Sequence, residues 1–441
     1  MNAATDWMPD RRFAALTAAL AALPIVFALL PPGLDLANKD AFDAADKSWV
    51  ATLEWPLVFL AGGVLLLWRA RLALEVARWV NPLLLLILGW FLASTLWSVA
   101  PAETARRATR LIALAVCAWA YMLAGWEPGR FWRHARYALG AVAAASIVVA
   151  LAWPSIGTHP PGDPEAGKWS GLTTNKNSLG IAAAYATILW VHAWASREVP
   201  LSRVLPWIAI GAVAMAGARS STAIVIAAIG CGTLVVLLRT PLASRSAIAP
   251  LALGVAAVAL AAVAALVIWR GSLSFTDLAG AAGRLVGKDA TFTGRASLWR
   301  YLLEEIPRHP WLGLGHGAYW LGEFSASAQA VRELYWTPNQ GHNFYLDLVN
   351  ETGFVGLGLF AALLAVWVRS IAQLGALDRP LAVLNATFLA CLLLEDVTET
   401  EMLRAVTMPS VLMFFALFDI GRCRLEGRWR AQRATAAASA A

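Results

Sequence analysis

QGHNFYLDLVNETG, Gln340 to Gly353, closes a polar interval that begins near Arg270, and directly after it the chain re-enters apolar sequence. An interval of roughly 80 residues rich in Gly, Trp, Arg and His is far longer than an ordinary connection and needs a function of its own. Everything around it reads as apolar helix with short connections.

Hydrophobic residues make up 59% of the 441 positions, charged residues only 14%, and the mean hydropathy is +0.61. Apolar runs near the ~20 residues needed to cross a bilayer core recur along the chain, so lipid is the main solvent. The runs are continuous and Ala/Leu-rich, without the alternation of a membrane barrel, and helices must do the spanning. The reading predicts an all-α, polytopic integral membrane protein of about twelve transmembrane helices, with one large outer loop carrying short amphipathic helices. The spans fall near 13–30, 55–68, 80–97, 109–125, 137–153, 177–196, 204–218, 222–238, 247–269, 353–368, 380–394 and 403–420. Four regions follow: helices one to nine over 1–269, the large loop over 270–352, helices ten to twelve over 353–420, and a basic tail over 421–441 whose Ala-rich end is expected to be disordered.

Lys and Arg beside short loops stay on the cytoplasmic side. Arg69, Arg71, Arg78, Arg130, Arg197, Arg239, Arg369 and the tail from Arg422 to Arg433 alternate onto one side, which places both termini in the cytoplasm. The first span is read as a retained helix, because Asp6 and Asp10 dilute the charge before it and PPGLDLA is a poor cleavage site. Parity then sends loop 154–176, the turn at Arg219, loop 395–402 and the long interval to the outer face together. The net charge of +7 suits anionic membrane lipids and not nucleic acid. Cys117, Cys231, Cys391 and Cys423 fall in spans or the tail, with no zinc-like spacing.

Candidate site residues collect on that outer side. Asn175, Lys176 and Asn177 open the sixth span; they could bind phosphate or sugar, or equally Lys176 could snorkel to headgroups while the Asn residues cap the helix. Arg219 lies in GARSST between two apolar spans, where a cation needs a partner, and Ser220 and its neighbours add donors suited to an anion at a helix start. Arg295 begins an amphipathic segment, where it opposes the helix dipole unless something anionic is held there, with Glu304 and Glu305 as the plain structural alternative. His316, in GLGHGAYW, reads as a turn residue with at most a supporting role. His342 and Asn343 precede a helix expected from about Phe344; an imidazole there stays neutral and available as a base, although Gln340 to Asn343 also read as a polar entry turn. Trp299, Trp311, Trp320 and Trp336 could stack on sugars or anchor at the interface.

SGLTTNKNSLG, GARSST, FTGRASLWR, HPWLGLGHGAYW and GHNFYLDLVNETGFVGLG, in that order over about residues 150–370, together resemble the O-antigen ligase and polymerase superfamily of polytopic membrane glycosyltransferases. The resemblance implies transfer of a glycan from undecaprenyl diphosphate to lipid A-core at the periplasmic face of the bacterial inner membrane. It further implies His342 as general base, with Arg219, Arg295 and Lys176 on the donor diphosphate and Asn343, Asn177, Ser220 and His316 in support. No cofactor and no metal are expected, although Glu395, Asp396, Glu399 and Glu401 form an acidic cluster able to hold Mg²⁺. A polymerase using the same donor is the alternative. A twelve-helix transporter or lipid flippase is the reading from another class; it predicts broken helices at mid-membrane.

Overall fold

The structure, a computed structural model, describes residues 14–31, 35–36, 39, 49–124, 126–163, 165–240, 247–254, 257, 295–334, 337–404 and 406–440. Their regular structure is helical, apart from one isolated antiparallel bridge, Thr158 to Trp169, among the described residues. The chain is an all-α polytopic membrane protein.

The helices are α1 (Ala14–Leu29), α2 (Trp49–Trp68), α3 (Ala70–Ala77), α4 (Pro82–Ala93), α5 (Pro101–Tyr121), α6 (Arg130–Ala152), α7 (Lys176–Ala195), α8 (Leu201–Ala218) and α9 (Ser221–Arg239). Within the interval lie α10 (Arg295–Glu305) and α11 (Ala328–Leu334), and from its end run α12 (Phe344–Leu374), α13 (Arg379–Glu395) and α14 (Met408–Ala440). Their starts carry the expected chemistry: side chains of Asn81, Asn175, Asn343 and Asp378 accept first-turn amides, and Pro82 and Pro101 occupy first-turn positions where a missing N–H costs nothing.

Among the described residues, α6, α7, α8, α9 and α12 are long and apolar enough to cross a membrane, and α2 with α3 makes a sixth if a pair bent by 99° counts as one span. α1 and α4 are apolar but shorter. The span expected at 247–269 lies mostly outside the described residues. One expectation is overturned: the Ala-rich end of the tail is helix, because α14 runs unbroken to Ala440. Alanine is the best helix former, and the Glu426–Arg430 pair adds support one turn apart.

α7 is apolar on all sides and buried on all sides, the pattern of a central helix. It packs against α6, α8 and α9. Small residues allow the approach: a Cβ on Gly180 would stand 2.6 Å from Ser220 Cβ of the α8–α9 turn.

α12 is broken at Gly353, whose φ of 68° and ψ of −176° no helix contains. The loop after α10 fills the break. Amides of Phe354 and Val355 donate to the carbonyls of Pro310 and Trp311, while amides of Leu314 and Gly315 donate to those of Asn350 and Glu351. Backbone groups freed by the break are therefore satisfied by the loop, as burial requires. Gly353 must be glycine on two counts, its positive φ and the carbonyl of Trp311 lying where a Cβ would go. Residues 344–352 thus form a separate short helix fixed to the interval, and they aim His342 at the rest of the site.

Candidate active site

The first wall is a small hairpin. Thr158 bridges Trp169, the His159 amide donates to Lys168 O at 2.9 Å, and the Gly167 amide donates back to His159 O at 3.0 Å. Inside it, Asp163 accepts from His159 Nδ1 at 3.0 Å and from the Glu165 amide at 2.7 Å. That turn presents the Glu165 carboxylate, whose Oε2 takes the ammonium groups of both Lys168 and Lys176, the latter at 2.9 Å. Burial works to raise the Glu165 carboxyl, but hydrogen bonds and charges from the two lysines outweigh it and hold the group below the usual carboxylate range. Asn175 caps α7 by accepting the amides of Asn177 and Ser178 at 2.9 and 3.0 Å, so both capping and a site role apply to this triplet. Lys176 does not snorkel to water: it is 6% exposed.

The second wall is the entry to α12. His342 has φ +51°, a left-handed conformation that costs a non-glycine residue on the order of 1 kcal/mol or more and persists only where surroundings enforce it. They do so here. Asn343 caps α12 at Leu346, its amide donates to Thr400 Oγ1 at 3.1 Å, and its Nδ2 donates to Val397 O at 3.1 Å. The Phe344 amide is shared between the carbonyls of Asp396 and Glu399. Asp347, 1% exposed, accepts from Trp320 Nε1, the Gly341 amide and Thr400 Oγ1. Three separate segments lock the turn that carries the imidazole.

Glu399 joins the walls. Its Oε2 lies 2.7 Å from His342 Nδ1, and its Oε1 accepts from Arg295 Nη2 at 2.5 Å and from Asn177 Nδ2 at 3.4 Å. A carboxylate can only accept, so the contact with Glu399 makes Nδ1 of His342 the donor and leaves Nε2 as the ring nitrogen available to a substrate. Arg295 and Glu399 are 7% and 6% exposed at the side chain, while His342 is 22% exposed.

Between the walls is a cavity of about 380 Å³. Its polar lining includes Glu165, Asn175, Lys176, Asn177, Gln340, His342, Glu399 and Glu401, and its apolar lining includes Leu29, Ile181, Val406 and Met408. A lining that mixes charged and apolar side chains suits an amphiphile. Burial, with the charge of Glu399, pushes the Glu401 carboxyl up to about 7 against the pull of Arg404.

Sequence-predicted residues thus divide. Lys176, Asn177 and His342 line the cavity; Arg295 stands directly behind Glu399; Asn343 fixes the turn. Arg219 is not in the lining: it is exposed, with φ +49° between α8 and α9, and makes no ion pair with any described residue. Its turn nonetheless touches the first wall, since the Trp169 amide donates to Gly217 O at 3.0 Å and Ser220, 2% exposed, packs on Gly180. Arg295 pairs not with Glu304 or Glu305 but with Glu399; Glu304 lies 3.9 Å from Arg300 and Glu305 takes Arg308.

One further expectation changes. His316 is no support to His342: it is 2% exposed, stacked on Phe91 with centroids 4.1 Å apart, and 3.9 Å from Glu351. In the acidic cluster Glu395 takes Tyr185 Oη at 2.8 Å, Asp396 takes the amides of Glu401 and Met402, and Glu399 takes Arg295 and His342, while Glu395 Oε1 and Asp396 Oδ2 are buried without a hydrogen-bond partner among the described residues. Trp320 is buried on Asp347, Trp311 is exposed, and Trp336 lies outside the described residues. The roles of Glu399 and Glu165 were not legible: the first belonged to the acidic cluster, and the second sat in a loop without a motif.

Residues 204–361 match the O-antigen ligase family model. The exopolysaccharide production protein ExoQ of Rhizobium meliloti (strain 1021) is 31% identical over 134 residues, which is 29% of this chain and 31% of that relative. The match therefore spans under a third of the relative's length.

Proposed function

We propose, from the match of residues 204–361 to the O-antigen ligase family model, that the chain is an O-antigen ligase of the O-antigen ligase and polymerase superfamily of membrane glycosyltransferases. In this reading the large loop over 270–352 is periplasmic, both termini are cytoplasmic, and the protein resides in the inner membrane. It moves a glycan from undecaprenyl diphosphate to a hydroxyl of lipid A-core.

The acceptor hydroxyl gives its proton to His342 Nε2 as its oxygen attacks the anomeric carbon. The bond from that carbon to the diphosphate oxygen breaks, the configuration inverts, and undecaprenyl diphosphate leaves with the electron pair. Glu399 holds the imidazole in the basic tautomer and stabilises the imidazolium as it forms. Lys176 offsets the charge developing on the leaving group from the cavity side, Arg295 adds its charge from behind Glu399, and Arg219 receives the diphosphate from the outer side. In this account cationic side chains carry the leaving charge; transfer that survives EDTA is the expected result, and loss restored by Mg²⁺ contradicts it.

The observation that carries the reading is the His342–Glu399–Arg295 constellation at the edge of an amphiphilic cavity. A second reading, polymerase, is favoured by the name of the relative, an exopolysaccharide production protein. Purified protein given one lipid-linked donor with two acceptors, lipid A-core and a second lipid-linked repeat, separates them: a ligase elongates the first alone.

A further inference from the structure

The cavity has an electrostatic problem for an anionic donor. Its lining holds the carboxyls of Glu165, Glu395, Glu399 and Glu401 against the ammonium of Lys176. Three of these carboxyls have other work or a weakened charge. Glu399 is shared by Arg295 and His342, Glu395 is bonded to Tyr185, and Glu401 titrates near neutrality. Glu165 differs: it is ionised, and a single oxygen occupies both nearby lysines. It is also held in place for this. Asp163 accepts its amide, the hairpin pairs Thr158 with Trp169, and the side chain of Lys176 is 7% exposed against 28% for Glu165. The buried partner of the pair is the cation, and the more accessible one is the carboxylate that covers it.

We propose that Glu165 is a donor-selecting residue: it occupies Lys168 and Lys176 as a built-in anion, so that a dianionic diphosphate lipid displaces it while the singly charged phosphodiester headgroups of ordinary membrane lipids do not. The inference rests on the polyprenyl-diphosphate reading above. Its physics is exchange. A monoanion that replaces Glu165 on the two lysines restores only what was lost and leaves a displaced carboxylate facing a cavity already rich in carboxyls. A dianion brings a second charge to two ammonium groups that one carboxylate oxygen had shared, and in a partly buried site that second interaction is not screened away as it would be in water. Selection is needed because a cavity that admits a lipid tail along Leu29, Ile181, Val406 and Met408 meets phosphodiester lipids in great excess over any carrier lipid.

The test uses the full chain in nanodiscs of zwitterionic lipid with rising fractions of phosphatidylglycerol, and reads binding of a polyprenyl diphosphate glycan. Wild-type protein is expected to bind the diphosphate with little dependence on phosphatidylglycerol. In Glu165→Gln the fraction of phosphatidylglycerol that halves donor binding should fall by about tenfold or more, the loss of one charge-for-charge competition worth ~1.4 kcal/mol. Glu165→Asp, which keeps the charge, should remain near wild type and guards against a fold that tolerates no change at 165. If Glu165→Gln shows the wild-type dependence, or if Gln and Asp variants weaken donor binding alike at every lipid composition, Glu165 is a structural residue and the inference falls alone. If wild-type protein binds no polyprenyl diphosphate in zwitterionic discs, the donor reading falls and takes the inference with it.

Discussion

Two histidines of this protein lie near a glutamate, and their surroundings give them opposite characters. His342 is bonded to Glu399 at 2.7 Å, strained at φ +51°, 22% exposed and at the wall of a cavity. His316 is 3.9 Å from Glu351, 2% exposed, and stacked parallel on Phe91 at an interplanar angle of 2°. Burial, aided by the charges of Arg107 and Arg404, pushes the His316 imidazole down to about 3, so it is a neutral ring used for packing. Residue type and a nearby carboxylate do not define a base. Access to a cavity, a fixed tautomer and a conformation that only its neighbours could enforce do.

Substitution is the way to break this contrast, and the largest effect is expected at the accessible ring. His342→Ala should lower steady-state transfer by about 10²–10⁴-fold, the usual worth of a general base, read as glycan moved to acceptor per unit time. Glu399→Gln should cost about a hundredfold, because an amide can present its N–H to Nδ1 and favour the wrong tautomer. The loss should be accompanied by a shifted pH–rate profile, which a merely structural defect would not produce. Arg295→Met leaves Glu399 with a buried, half-compensated charge; a stability loss of about 3–5 kcal/mol is expected, seen as a lower melting temperature together with weakened donor binding.

His316 should respond in stability alone. His316→Gln is expected to cost about 1–3 kcal/mol and to leave turnover per folded molecule within about twofold of wild type.

The effects of pH fall on stability and not on turnover, and their signs differ. For His316 the folded value of about 3 lies below the ordinary 6.5. Its contribution is complete above pH 6.5 and is lost, at about 1.4 kcal/mol per unit, as pH falls toward 3. For Glu401 the folded value of about 7 lies above the ordinary 4.5. Its contribution is complete below pH 4.5 and is lost as pH rises through 7. Melting temperature against pH should therefore sag on both sides, with His316→Gln flattening the acid limb and Glu401→Gln the alkaline one.

Much of this was legible in the chain. Apolar run length predicted helices, and the helix start at Phe344 followed from the polar Gln340 to Asn343 before it. Parity of basic loops put Lys176, the Arg219 turn, loop 395–402 and His342 on one side. What parity could not supply was pairing. Arg295 and Glu399 are separated by 104 residues, and nothing local distinguishes Glu399 from its acidic neighbours or Glu304 and Glu305 from the true partner of Arg295. The plug of residues 310–315 in the break at Gly353 was equally hidden, since a glycine in an apolar run reads as a packing residue until its φ is known. His316 failed for the complementary reason, because GLGHGAYW looks like an exposed turn and its burial against Phe91 comes from the far-off α4.

The central claim is that His342 does chemistry and does not hold the donor. The most direct measurement is single-turnover transfer from protein preloaded with labelled polyprenyl diphosphate glycan, started by acceptor, for wild type, His342→Ala and His316→Ala side by side. The account predicts equal loading of all three, wild-type rates for His316→Ala per folded molecule, and a rate about 10²–10⁴-fold lower for His342→Ala. Transfer by loaded His342→Ala at the wild-type rate would contradict it.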